Sequence, residues 1–134
     1  MEQQRISFET AKLAKEKGLD ISCDEIYDHK GNLITVYADG YFVKDNRWYL
    51  APPQSVLQTW LREEYDIVVL VELRYKTISS RHRISKHDGY DVCISKYQRD
   101  LTTDAYDSDT AYFNFKSYED ALEKGLQEAL KLIE

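Results

Sequence analysis

Apolar positions recur along this chain with two spacings: every three to four residues near both ends and in the middle, and every second residue in between. The first spacing belongs to helices and the second to half-buried strands. Residues 6–19 open with Ser7, whose hydroxyl can accept from an otherwise orphaned backbone N–H, and close with Gly18, which turns the chain at no Cβ cost. Phe8, Ala11, Ala14 and Gly18 share a face whose small residues predict a close neighbour, and Lys15 interrupts it. In the middle, Pro52-Pro53 stops a strand and starts a second helix, since proline suits the first helical turn. Val56, Leu57, Trp60 and Leu61 form its apolar arc, with Gln54, Ser55, Gln58, Thr59 and Arg62 on the opposite side.

Between these helices, residues 28–50 read as β structure. Asp28-His29-Lys30-Gly31-Asn32 is a turn, Leu33-Ile34-Thr35-Val36-Tyr37 is β-branched and aromatic, and Asp39-Gly40 is a hairpin signal before Tyr41-Phe42-Val43. A further turn at 44–46 precedes Arg47-Trp48-Tyr49-Leu50. After the second helix, Ile67–Tyr75 begins apolar on both sides and then alternates. His87-Asp88-Gly89 turns the chain into the alternating run Tyr90–Tyr97, in which Cys93 suits a small buried hydrophobe, and Thr110–Phe115 is a third strand.

Ser117 caps the most amphipathic segment, which ends near Ile133. Tyr118, Ala121, Leu122, Gly125, Leu126, Ala129, Leu132 and Ile133 cover nearly half its circumference, and an arc that wide belongs to a helix lying on a sheet. Gly125 at the arc's centre costs about 1 kcal/mol against alanine, which close contact with a strand or another helix would offset. The expected fold is α+β in the order α-β(β)(β)-α-β-β-β-α, with helices packed on an antiparallel sheet. With no repeat and no linker, residues 1–134 read as a single domain.

Composition narrows the function classes. The 134 residues are 43% hydrophobic and 31% charged, as in a globular chain. The longest aliphatic run, Ile67–Val71, is far too short to span a bilayer. No basic region followed by an apolar stretch opens the chain, so the expectation is the host-cell cytoplasm, with Cys23 and Cys93 reduced. A net charge of −6 argues against general nucleic-acid or membrane affinity. The charge is uneven: residues 101–134 carry −5, whereas residues 77–100 carry +2 around Arg81-His82-Arg83-Ile84-Ser85-Lys86-His87, which reads as a solvated loop.

Catalytic and metal motifs are missing. The five glycines fit neither a dinucleotide loop nor a Walker A loop, and there is no G-x-S-x-G. His82 and His87 are one residue beyond the spacing that lets a helix present two ligands to one ion. A calcium loop starting at Asp107 would need Gly and Glu where Tyr112 and Tyr118 stand. No cofactor, no metal and no enzymatic activity are expected.

Aromatic surface remains to be explained. Strand packing accounts for most of the seventeen aromatic residues, but Tyr41, Phe42, Trp48 and Tyr49 load both faces of one short hairpin and form a candidate partner surface. The weaker alternatives are a nucleic-acid surface of Arg74, Lys76, Arg81, Arg83, Lys86 and His87, and a small enzyme built on Ser55, Gln58, Arg62 and a histidine.

Three phrases carry a resemblance: Ser7–Ala14, Ala51–Arg62 and Tyr118–Leu130. Together they resemble a family of small phage- and prophage-borne proteins of gut anaerobes. Pro53 departs from that family's usual threonine, which changes the helix cap and not the helix. The resemblance implies a phage context and no chemistry. In topology only, residues 53–133 look like a double-stranded-RNA-binding domain, whose phosphate-holding lysines are here replaced by Lys116-Ser117-Tyr118-Glu119-Asp120. The expectation is an accessory protein that binds another protein, a host or phage factor, with no membrane, nucleic acid argued against and the oligomeric state open.

Overall fold

The computed structural model describes residues 4–35, 48–79, 81–82, 84–97 and 106–133. The elements are α1 (Phe8–Glu16), β1 (Glu25–Tyr27), β2 (Leu33–Thr35), β3 (Tyr49–Leu50), α2 (Gln54–Tyr65), β4 (Ile67–Ser79), β5 (Ile84–Tyr97), β6 (Tyr106–Phe115) and α3 (Tyr118–Lys131). This is the α+β order expected from the apolar spacing. The strands form two antiparallel sheets, a small one in the order β2-β1-β3 and a large one in the order β4-β5-β6. The Asp39-Gly40 hairpin signal lies outside the described residues.

Layers follow from which residues are apolar on which side. Ile67, Val69, Val92 and Ile94 point from β4 and β5 into one core, where α3 lies across both strands and α2 lies beside it on β4. Ala11 and Ala14 let α1 settle on the outer side of α3, and the α1 ring of Phe8 meets Tyr27 and Tyr49 of the small sheet edge-on at 5.6 and 5.5 Å. Thus α3 is the axis of the molecule, with the large sheet on one side and α1 on the other. Gly125 makes the inner contact possible. A Cβ there would stand 2.6 Å from Val92 Cγ2 and 2.7 Å from Val69 Cγ1, so the offset expected for this glycine is a strand contact.

Ser7 accepts from Thr10 N at 3.2 Å, Ser117 accepts from Asp120 N at 3.1 Å, and Gly18 has φ +85°. Pro53 occupies the cap position of α2 without a side-chain hydrogen bond. The α2 wheel differs from expectation: Gln54 is 4% exposed and Val56 38% exposed. The reason is a polar contact with α3, described below.

The edge strand β6 is tied to α3 through Glu128. Its Oε1 accepts from Lys124 Nζ and Lys131 Nζ, each at 2.9 Å, and its Oε2 from Tyr112 Oη at 3.3 Å. Hydrogen bonding from Lys124, and then from Lys131, holds the Glu128 carboxyl below its ordinary value of 4.5. A depressed carboxyl contributes stability above its unfolded pKa and loses it as pH falls through the folded one. Urea midpoints taken at about pH 5 and about pH 3 should therefore fall further for the native protein than for Glu128→Gln.

Candidate functional site

Of the four aromatic residues expected to form a partner surface, Tyr41 and Phe42 lie outside the described residues. Trp48 and Tyr49 are half-buried and are used within the fold. Tyr49 packs against the core, with Lys15 Nζ 4.8 Å above its ring, and the Trp48 carbonyl accepts from Lys15 Nζ at 2.9 Å.

The basic residues lie along one stretch of backbone. Arg81–His87 reads as a solvated loop from sequence, but β4 runs on to Ser79 and β5 starts at Ile84. Register pairs Tyr75 with His87, Lys76 with Lys86, Thr77 with Ser85 and Ser79 with Ile84. Pairing of β6 with β5 stops at Tyr90, so beyond that residue, among the described residues, the large sheet narrows to two strands. Arg81 and His87 are exposed, Arg74 forms an ion pair with Asp91 at 3.7 Å, and Arg83 and the side chains of Lys76 and Lys86 lie outside what the structure describes. The backbone that carries Arg74, Lys76, Lys86 and His87 is therefore two paired strands rather than a loop.

On the large sheet, the face opposite the helices carries Val68, Leu70, Cys93, Ala111 and Phe113. A straight line of register, Leu70 to Cys93 to Ala111, crosses its middle. Leu70 is 52% and Phe113 61% exposed, and among the described residues no element packs over them. Cys93 belongs to this open side because Val92 and Ile94 take the buried one, which corrects the expectation of a buried thiol. Glu72, Asp91 and Arg74 border the patch, so it is an apolar strip edged by charge.

One polar cluster was missed by sequence reasoning. Glu123 of α3 reaches the start of α1, where its Oε2 accepts from Ser7 N at 3.0 Å, from Ser7 Oγ at 2.9 Å and from Thr10 Oγ1. Its Oε1 accepts from Gln54 Nε2 of α2 at 2.9 Å, and that amide also donates to the Glu119 carbonyl at 3.0 Å. Gln127 Nε2 donates to Thr10 Oγ1 at 3.0 Å. In a capping box a glutamate three residues after the cap bonds back to the cap N–H. Here that position is Thr10, and a glutamate from another helix takes the role.

The cluster floors a cleft of about 550 Å³, lined in part by Arg5, Tyr27, Glu119 and Asp120. Burial, followed by the charge of Glu123, pushes the Tyr27 hydroxyl above its ordinary 10.0, and the hydroxyl donates to the Ile6 carbonyl at 2.6 Å. With four donors already on its two oxygens, Glu123 is a strut joining three helices rather than a group poised to move a proton. On α2, Gln58 Nε2 is engaged at the Val69 carbonyl, 2.6 Å away, and Arg62 pairs with its neighbour Glu63.

Among the described residues no group of three or more His, Cys, Asp or Glu side chains is placed to hold a metal ion, and no helix is long and apolar enough to cross a membrane. Comparison of the chain with protein-family models, with curated proteins and with solved structures gives no match.

Proposed function

We propose that this chain is a non-enzymatic protein-binding module, of the phage or prophage accessory type that its helix phrases resemble, and that its partner docks on the open face of the large sheet. The observation that carries the reading is the exposure of Leu70, at one end of the Leu70–Cys93–Ala111 line, and of Phe113, two residues along β6 from its other end. Soluble chains seldom leave contiguous apolar strips in water, and covering them returns roughly 25 cal/mol for each Å² removed from solvent. An apolar centre edged by Glu72, Asp91 and Arg74 also has the anatomy of a protein interface, in which charge is kept to the rim.

A photo-crosslinking amino acid placed at position 70 or 113 in the host cell should capture one and the same protein. Placement at Thr59, on the exposed polar side of α2, should not capture it. Leu70→Glu should abolish capture from position 113 while leaving the thermal midpoint within a few degrees, because surface substitutions change stability by only about 0.5 kcal/mol. Equal labelling from positions 59, 70 and 113 would rule the docking face out.

A further inference from the structure

We infer that an aromatic ledge on the helix side of the large sheet is a seat for an arginine side chain of a partner protein. Register places Leu73 of β4 opposite Tyr90 of β5, and Tyr75 opposite His87. Tyr90 packs against the core beneath the helices, so its cross-strand neighbours and Tyr75, two residues along β4 from Leu73, face that side too. The rings continue onto α3. His87 and Tyr90 meet at 4.9 Å and 72°, and Tyr90 meets Tyr118, the first residue of the helix, at 6.1 Å and 89°. At this end the sheet outruns α3, and Leu73 is 50%, Tyr75 61% and Tyr118 43% exposed. The ledge lies across the sheet from the Leu70–Cys93–Ala111 line and does not rest on the docking face proposed there.

Aromatic faces carry partial negative charge, and elsewhere this chain covers them with its own cations. Lys12 stands 4.8 Å over Phe8, Lys15 4.8 Å over Tyr49 and Lys124 5.1 Å over Tyr112. Among the described residues no lysine or arginine stands over Tyr75, Tyr90 or Tyr118. Charge beside the rings has the complementary sign. Asp88 follows His87 and Glu119 follows Tyr118; both are exposed, and neither is in an ion pair among the described residues. Arg74 belongs to the other face, where it pairs with Asp91, and Lys116, exposed ahead of the α3 cap, covers no ring. Ring faces and carboxylates together ask for a cation that the described chain does not supply.

Shape selects arginine among cations. Its guanidinium is planar and weakly hydrated, so it stacks on an exposed tyrosine and still turns an edge to a carboxylate, whereas an ammonium holds its water. Its apolar stem matches the open side of Leu73, since long basic side chains lay their methylenes on apolar surface and keep the charge outside. A protein source follows from the same match, because tyrosine and arginine are the residues enriched where proteins meet. Each ring under the guanidinium should contribute about two- to fivefold in affinity.

An NMR titration of the full chain with a peptide of alternating arginine and glycine, read on the tyrosine ring signals, tests this. Salt of about 150 mM screens long-range attraction to the acidic chain. Signals of Tyr75, Tyr90 and Tyr118 should move, and those of Tyr49 and Tyr112, already under lysines, should not. A citrulline peptide of the same shape without the charge, and a lysine peptide of the same charge without the plane, should each bind at least about fivefold more weakly. Followed on Tyr90, Tyr75→Leu combined with Tyr118→Leu should weaken the arginine peptide about 5- to 30-fold, whereas the Phe pair at those positions keeps the ring faces and should stay within about twofold. Circular dichroism of both pairs separates a lost ring from a lost fold, and Asp88→Asn with Glu119→Gln should weaken binding without touching a ring. The proposal is overturned by ring signals that stay in place, by a citrulline or lysine peptide that binds as tightly as arginine, or by a folded Leu pair that binds like the native chain.

Discussion

Gly125→Ala is expected to destabilise the protein by about 1–2 kcal/mol, even though alanine is the better helix former by about 1 kcal/mol. The added methyl would sit 2.6 Å from Val92 Cγ2 and 2.7 Å from Val69 Cγ1. Both valines are branched at Cβ and stand on adjacent strands of the large sheet, so neither can rotate away without leaving its preferred rotamer. The helix must lift instead, which thins the contacts of Ala121, Leu122 and Ala129 together. Urea titration should show the lower midpoint. Removing one of the obstacles provides the check. Val92→Ala alone leaves a cavity and destabilises, but Gly125→Ala in that background should cost less than in the native one, or even stabilise. A Gly125→Ala protein more stable than the native chain would show that α3 does not touch the sheet as closely as described.

Glu123→Ala is the second large effect, a loss of about 2–4 kcal/mol. One carboxylate satisfies Ser7 N, Ser7 Oγ, Thr10 Oγ1 and Gln54 Nε2, and truncation leaves all four donors without it in half-buried surroundings. It also withdraws a negative group from the N-terminus of α1, where the helix dipole favours one. Glu123→Gln keeps the shape but brings an amide NH₂ toward donors, so about half the loss should remain. Hydrogen exchange gives the specific signature. Amides of α1 should lose protection well before those of β4 and β5 in the alanine variant, since α1 is held through Glu123 and the sheet is not. Uniform loss across all elements would mean that the cluster has no special hold on α1.

The caps at Ser7 and Ser117 and the contact at Gly125 were legible because each depends on a residue type whose local physics permits little else. The inversion on α2 was not. A helical wheel identifies a buried face only by its apolarity, and Gln54 is buried because Glu123 and the Glu119 carbonyl come from α3 to meet its amide. The same cause hid the cluster itself. Ser7 is three residues from Thr10, not from a glutamate, so the capping box looks incomplete until α3 is in place.

Short strands were hard for a different reason. β1 has three residues, too few for a period, and is a strand because β2 and β3 flank it. Cys93 shows that alternation gives the two faces of a strand but not their assignment; Val92 and Ile94 took the core, and a shift of one residue exchanges the sides. The basic segment was the largest difference. Its charge suggested a solvated loop, yet Thr77, Ile78, Ser79, Ile84 and Ser85 suit strands, and pairing with the neighbouring strand decided the outcome.

The hold of Glu123 on Ser7 joins residues 116 positions apart, and Lys17 Nζ bonds the Ile133 carbonyl across the same separation. During synthesis α1 leaves the ribosome long before the residues that hold it in place. A nine-residue α1 is too short to persist as a helix by itself, and its capping carboxylate is translated 116 residues after Ser7. Until then Ala11, Ala14 and Ile6 have no surface to cover them. Until α3 has emerged, the nascent chain therefore presents this apolar segment to the cell, and ribosome-associated chaperones have access to it.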